Sequence, residues 1–275
     1  MPSPDGMKGG WQLASDHIVK TAHALADAAR KVILPYFRAD GLSADNKLAG
    51  SGFDPVTEAD RAAERVMRDL LEQHCPDDAI LGEEFDDRAG TSGLTWVLDP
   101  IDGTRGFLSG TPTWGILIAV ADASGPIYGI IDQPYIGERF EGGFGRAEMT
   151  GPLGRRLLKA RGNRPLDQSI LYTTFPQIGD RTECAAFEAV AANVQLTRYG
   201  MDCYAYALLS AGQIDLVIEA GLHAYDINAP IAVIQAAGGI VTDWQGRPAH
   251  PGGRAVAAAG REQHEAALDI LSRMT

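Results

Sequence analysis

Sulfur is scarce in this chain. Three cysteines, Cys75, Cys184 and Cys203, stand among 275 residues, odd in number and never spaced Cys-x-x-Cys. That excludes a disulfide framework and a zinc knuckle, and it predicts a reduced, cytoplasmic setting. Long hydrophobic runs are missing too: the longest, Trp114 to Ala121, is far too short to cross a bilayer. Met1 to Gly10 holds Pro, Gly, Asp and Lys but no apolar segment, so it does not read as a secretory signal. Positive charge is in deficit, with 24 Lys and Arg against 36 Asp and Glu, for a formal net charge of −12. Such a balance offers nucleic acid or an anionic membrane no attraction, whereas it suits a site that recruits divalent cations. Several motifs are absent as well: the Gly-x-x-x-x-Gly-Lys-Ser/Thr loop, the Gly-x-Ser-x-Gly elbow and a complete Gly-x-Gly-x-x-Gly. His264-Glu265 begins a zincin pattern, but Leu268 stands where the second histidine belongs.

What remains is a chain with 45% hydrophobic residues, enough for one large domain or two intimate ones. Ile18, Val19, Ala22, Leu25, Ala26, Ala29, Val32, Ile33 and Phe37 recur at helical spacing, predicting a long amphipathic helix ending near Tyr36-Phe37, after a mobile first ten residues. Arg38 to Asp54, with Lys47 in its middle, reads either as a solvated loop or as a lid that turns Lys47 to an anion. Thr57 is placed to cap a second helix, with Asp60 at the capping-box position; Asp60 either satisfies that helix start or faces a cation, and spacing alone favours the cap.

Ala79 to Gly82 reads as a short strand leading into Glu83-Glu84, of which only one can look into a given site. Trp96 to Leu98 reads as a buried strand that Asp99-Pro100 ends in a sharp turn. Asp99 and Asp102 then form a dense negative spot that a fold tolerates only with compensation. Gly103 and Thr104, next to it, can offer backbone N–H groups to an anion. A cation site beside an anion seat suggests metal-assisted chemistry on a phosphate.

Trp114 to Val120 and Ile127 to Ile131 predict a hairpin, which Arg139 to Phe144 extends. The basic stretch from Arg146 to Arg164 reads as solvated surface and supplies the boundary between two halves, 1–150 and 151–275, that share a site. The second half alternates strands (169–175, 195–199, 214–219, 240–243, 255–260) with helices (181–193, 203–210, 225–237, 261–274), which indicates α/β layers. Asp226 falls at the start of a helix just after the strand that carries Glu219, a place where a plain N-cap is common. The oxygen-rich set Glu83, Asp99, Asp102, Asp226 and Asp60 suits Mg²⁺ or Mn²⁺ rather than zinc.

Four motifs occur in order: Asp54-Pro-Val-Thr-Glu-Ala-Asp60, Gly82-Glu83-Glu84, Trp96-Val-Leu-Asp-Pro-Ile-Asp-Gly-Thr104, and Tyr225-Asp226 followed by Ala236-Ala237-Gly238-Gly239. Together they strongly resemble the inositol monophosphatase family of Mg²⁺-dependent, lithium-sensitive phosphatases, over nearly the whole chain from about residue 15. Asp102-Gly-Thr-Arg105-Gly-Phe, Thr113 to Ala119, Gly200-Met-Asp-Cys-Tyr-Ala-Tyr206 and Glu219 to Asp226 look like the histidinol-phosphate phosphatases within it.

The resemblance implies a layered α/β fold, an αβαβα sandwich, usually a homodimer. It implies two to three Mg²⁺ ions, with Mn²⁺ an alternative. Glu83, Asp99 and the Ile101 carbonyl would hold the first, Asp99, Asp102 and Asp226 a second, and Asp60 with Glu83 a looser third. Thr104 and Glu83 would orient the attacking water, while Asp102, Gly103 and Thr104 seat the phosphate. Glu219 and Asp202 are the candidates for reading the organic part of a small phosphate monoester; for Asp202 a helix N-cap is the alternative. Arg105 could hold phosphate, cross a dimer interface or brace Asp202. Three functions stay open: a histidinol-phosphate phosphatase, a phosphatase for inositol or other small esters, and a non-catalytic metal- and anion-binding regulator.

Overall fold

The computed structural model describes residues 4–40, 43–46 and 55–274, so Lys47 lies outside the described residues. The chain opens with helix α1 (Pro4–Ile33), starting earlier than expected. It stops before Tyr36 because Pro35 has no N–H to continue the ladder and disfavours helical geometry at Leu34. A small pair, β1 (Asp45–Asn46) and β2 (Pro55–Val56), precedes α2 (Glu58–His74). Then come β3 (Ala79–Gly82), β4 (Thr95–Asp102), α3 (Thr104–Ser109), β5 (Gly115–Asp122), β6 (Gly125–Gln133), β7 (Glu138–Gly143), β8 (Arg146–Gly151) and β9 (Gly154–Leu157). The remainder is β10 (Ile170–Thr173), α4 (Arg181–Ala191), β11 (Leu196–Tyr199), α5 (Cys203–Ser210), β12 (Leu216–Leu222), α6 (Ala224–Ala236), β13 (Ile240–Thr242), β14 (Gly253–Ala258) and α7 (Arg261–Met274).

Seven strands, β3 to β9, lie in chain order in one sheet, parallel only between β3 and β4. Five form a second sheet in the order β11-β10-β12-β14-β13. Three apolar clusters show the layering. One joins α1 and α2 to the first sheet through Leu25, Met67, Trp96 and Ile118. A second joins both sheets to α5 and α6 through Leu117, Phe140, Tyr206 and Val233. The third joins the second sheet to α4 and α7 through Phe187, Val256 and Leu271. The expected α/β sandwich is therefore present. A buried Asp132 bolts α1 to the first sheet by accepting from Arg30 Nη2 at 2.6 Å and from Arg139 Nε at 2.6 Å.

Two expectations need correction. The residues from Arg146 to Leu157 keep their arginines Arg155 and Arg156 at the surface as expected, but they form β8 and β9, and the division placed at 150 and 151 cuts through β8. Their charges hid them, because β9 is an exposed edge strand, where arginine is at home. Asp99-Pro100 likewise does not end its strand. β4 continues to Asp102 across a bulge, with Asp99 opposite Leu117 and Asp102 opposite Gly115, so three steps on β4 match two on β5. A bulge accommodates the missing proline N–H, and β3 no longer pairs with β4 beyond Leu98.

Candidate active site

The bulge in β4 has a counterpart across the molecule. β12 slips against β14 between Glu219 and Leu222, again three steps against two. Both irregularities sit at the carboxyl ends of their strands and open onto one cavity of about 400 Å³. Its lining includes Glu83, Asp99, Asp102, Thr104, Glu219 and Asp226, so the structure gathers residues far apart in sequence.

Each acid is aimed by a backbone donor. Ile101 N–H donates to Asp99 Oδ1 at 3.0 Å, and Cys203 N–H, from the start of α5, donates to Asp102 Oδ2 at 2.6 Å. His223 N–H donates to Asp226 Oδ2 at 2.6 Å. The cap of α6 is thus His223, and Asp226 occupies its first turn rather than the cap itself. Ligand oxygens of Asp99, Asp102 and Asp226 lie within 4.8 Å of one another. Burial, with the charges of Glu83, Asp102 and Asp226, holds Asp99 well above the usual carboxylate range, and burial with Asp202 and Asp226 does the same for Asp102.

Asp60 takes the capping role with one oxygen and leaves the other without a hydrogen-bond partner among the described residues. Oδ2 accepts from Thr57 N–H at 2.8 Å and from the Thr57 hydroxyl, completing the capping box of α2. Oδ1, the other, is buried. Burial pushes its pKa up to about 6, the Thr57 bonds oppose that, and the charge of Glu83 adds to it.

Glu83 itself depends on a residue that sequence reasoning missed. Buried Glu64 on α2 accepts from Arg68 Nε at 2.7 Å and from Glu84 N–H at 2.8 Å, which pins the turn carrying Glu83. Gly82 permits this contact, since a Cβ there would lie 2.1 Å from Glu64 Oε1. The Glu64–Arg68 pair at i, i+4 and the lone glycine before two acids were the available signals.

The anion seat lies beside the acids. Gly103 (φ 85°) begins α3, and any side chain there would meet Asp202 Cγ at 2.7 Å. The Thr104 hydroxyl donates to the Ile101 carbonyl at 3.1 Å. Asp202 stands at the N-cap position of α5, as the alternative had it, but at φ 46° and without a side-chain cap bond. Its carboxylate instead accepts from Thr113 Oγ1 at 3.2 Å under the 103–106 turn. Burial raises its pKa, while Thr113 and the Arg105 guanidinium lower it, which fits the bracing alternative for Arg105. That guanidinium also lies 4.9 Å from the centre of the exposed Phe175 ring.

The far wall is acidic and aromatic. Glu219 Oε1 accepts from Thr174 N–H at 2.7 Å and Thr174 Oγ1 at 3.0 Å. Burial lifts Glu219 to a pKa of about 7 against the Thr174 bonds. His223 and Tyr225 stack at 5.0 Å along the same wall.

These residues suit a divalent cation. The donors are all oxygen, three carboxylates converge, and the buried Asp60 Oδ1 has no hydrogen-bond partner among the described residues. Known proteins point the same way. The model of the inositol monophosphatase family matches residues 14–274. The bifunctional phosphatase IMPL2, chloroplastic, of Arabidopsis thaliana is 42% identical over 84% of this chain, which spans 66% of that protein. A histidinol-phosphatase of Streptomyces coelicolor is 33% identical over 93% of this chain and 97% of its own. The structure of an inositol monophosphatase from Zymomonas mobilis superposes with a TM-score of 0.83 at 38% identity, covering 94% of this chain and 99% of the other. Fold, site and likeness define a phosphoric monoester hydrolase with a metal-dependent site. More narrowly, the chain belongs to the inositol monophosphatase family.

Two outcomes follow from this geometry. Asp60 has a folded pKa of about 6 against 3.8 for the free group, so its stabilising contribution is full below 3.8 and lost as pH rises through 6. Asp99 and Asp102 are shifted in the same direction. Chelated protein is therefore expected to melt at lower temperature at pH 8 than at pH 5, with added divalent cation restoring the loss at pH 8; a chelated melting temperature that rises over this range would contradict the site. Secondly, Glu64→Ala is expected to cost about 2–4 kcal/mol in urea unfolding, because it takes away the acceptor of Arg68 Nε, which carries the charge, and of the Glu84 N–H.

Proposed function

We propose that this phosphatase hydrolyses L-histidinol phosphate to L-histidinol and phosphate, using Mg²⁺. The observation that carries the reading is the wall adjoining the acid cluster at Asp226, where buried Glu219 shares the cavity lining with the stacked His223 and Tyr225 and with Phe175. A carboxylate matches the substrate's ammonium, and flat aromatic faces match its imidazole. A polyol phosphate carries neither group. The printed name of the Streptomyces relative supports the choice, while the Zymomonas structure supports inositol phosphate as the second reading.

Glu83, Asp99, the Ile101 carbonyl, Asp102 and Asp226 would hold two Mg²⁺ ions, and Asp60 through Oδ1 a third with Glu83. Such ions would polarise the phosphoryl oxygens and acidify water at neutral pH, and Mn²⁺ could supply the same chemistry. The chain's own groups do the rest. The Gly103 and Thr104 amides face the phosphate oxygens, with Asp202 and Thr113 holding their turn in place. The Thr104 hydroxyl, already turned to the Ile101 carbonyl, and Glu83 orient the attacking water in line with the leaving oxygen. The alkoxide leaves as the P–O bond breaks and takes a proton from water, so no phosphoenzyme or histidine base is required.

Phosphate release from L-histidinol phosphate, myo-inositol 1-phosphate and an adenosine bisphosphate, with Mg²⁺, tests the reading. Turnover is expected to favour L-histidinol phosphate by at least about tenfold in kcat/KM, and a preference for the inositol ester would replace the first reading by the second. Glu219→Gln removes a charge-assisted contact of roughly 1.5–3 kcal/mol, so KM for L-histidinol phosphate should rise about tenfold or more. Equal rises for the inositol ester would show that Glu219 does not read charge.

A further inference from the structure

The floor of the cavity holds a group that none of these roles uses. Tyr206, on α5, is 4% exposed and lines the cavity, yet its hydroxyl has no hydrogen-bond partner among the described residues. The charges of Glu219, Asp102 and Asp226 all bear on it, which places it where the acid cluster meets the Glu219 wall. Leaving a buried hydroxyl unpaired costs about 1–3 kcal/mol, and phenylalanine would fill the same space without that cost. Tyr206 is also unlike its neighbours in kind. The carboxylates whose charges bear on it only accept when ionised, whereas a phenol both donates and accepts.

We propose that the Tyr206 hydroxyl is a specificity determinant that accepts a hydrogen bond from an N–H or O–H borne close to the substrate's ester oxygen, sharing that donor with Glu219. Resting on the substrate reading above, the donor is the ammonium on the carbon next to the ester methylene of L-histidinol phosphate. An ammonium has three hydrogens to distribute, so Glu219 supplies countercharge while Tyr206 fixes direction. A substrate lacking the donor leaves the hydroxyl unpaired and is disfavoured on that account.

The test is Tyr206→Phe in the Mg²⁺-loaded enzyme, assayed on L-histidinol phosphate and on its des-amino analogue, 3-(imidazol-4-yl)propyl phosphate. The ratio of kcat/KM for the first over the second is expected to fall about fivefold to twentyfold, mostly through KM. The melting temperature of the metal-free variant should stay within about 2 °C of the parent or rise, because no contact is lost. A proportional fall on both esters, or a clear drop in melting temperature, would assign the hydroxyl a structural role and overturn the proposal. Wild-type enzyme that prefers myo-inositol 1-phosphate would remove the substrate reading alone. Tyr206 is then judged by the same ratio for myo-inositol 1-phosphate over phenyl phosphate, which has no donor beside its ester: a fall in Tyr206→Phe sustains the proposal and an unchanged ratio ends it.

Discussion

Carboxylates repel one another, and burial makes that repulsion stronger, so a fold that gathers four of them, two buried and two half-buried, must hold each in place. Here the backbone does it. Thr57, Ile101, Cys203 and His223 each direct one N–H at one oxygen of Asp60, Asp99, Asp102 and Asp226 respectively. A fixed dipole on one oxygen orients the whole carboxylate while leaving its net charge in place. The raised pKa values of Asp60, Asp99 and Asp102 record burial first and, after it, the repulsion that remains. A divalent cation answers that remainder, and the folding energy set aside in the site becomes cation affinity.

The scaffold places these donors by irregularity rather than by regular structure. Two bulges, one in β4 and one in β12, each turn a strand end inward at a carboxylate. Around them the elements are ordinary: an antiparallel meander, a mixed five-stranded sheet and helices packed through three apolar clusters. Rigid layers with distorted ends satisfy the demand for precise positions at the site without spreading strain through the core.

Most of the helices and the clustered acids were legible in the sequence, since periodicity and capping are local signals. α5 and α7 start and stop where the pattern predicts. The second sheet was legible as an alternation, though not its strand order. What escaped depends on pairing with distant chain. The bulge that carries β4 past Pro100 exists only because β5 lies opposite, and the basic β8 and β9 look like loops until β7 pairs with β8 and β8 with β9. Asp202 was ambiguous for a similar reason, as its partner Thr113 lies far away in sequence. Glu64 was invisible because an ion pair on a helix usually faces water, and only the approach of Gly82 shows that this one does not.

The meeting of Asp102 with Asp226 has a consequence for the life of the chain before it is finished. Residues 103–225 separate the two acids, and the α5 amide that holds Asp102 comes late in that interval. A ribosome therefore exposes Asp60, Glu83, Asp99 and Asp102 long before their last partner exists. Up to that moment the acid cluster is incomplete. The β12 end that carries Glu219 to it waits longer still, since its partner strand β14 follows α6 in the chain.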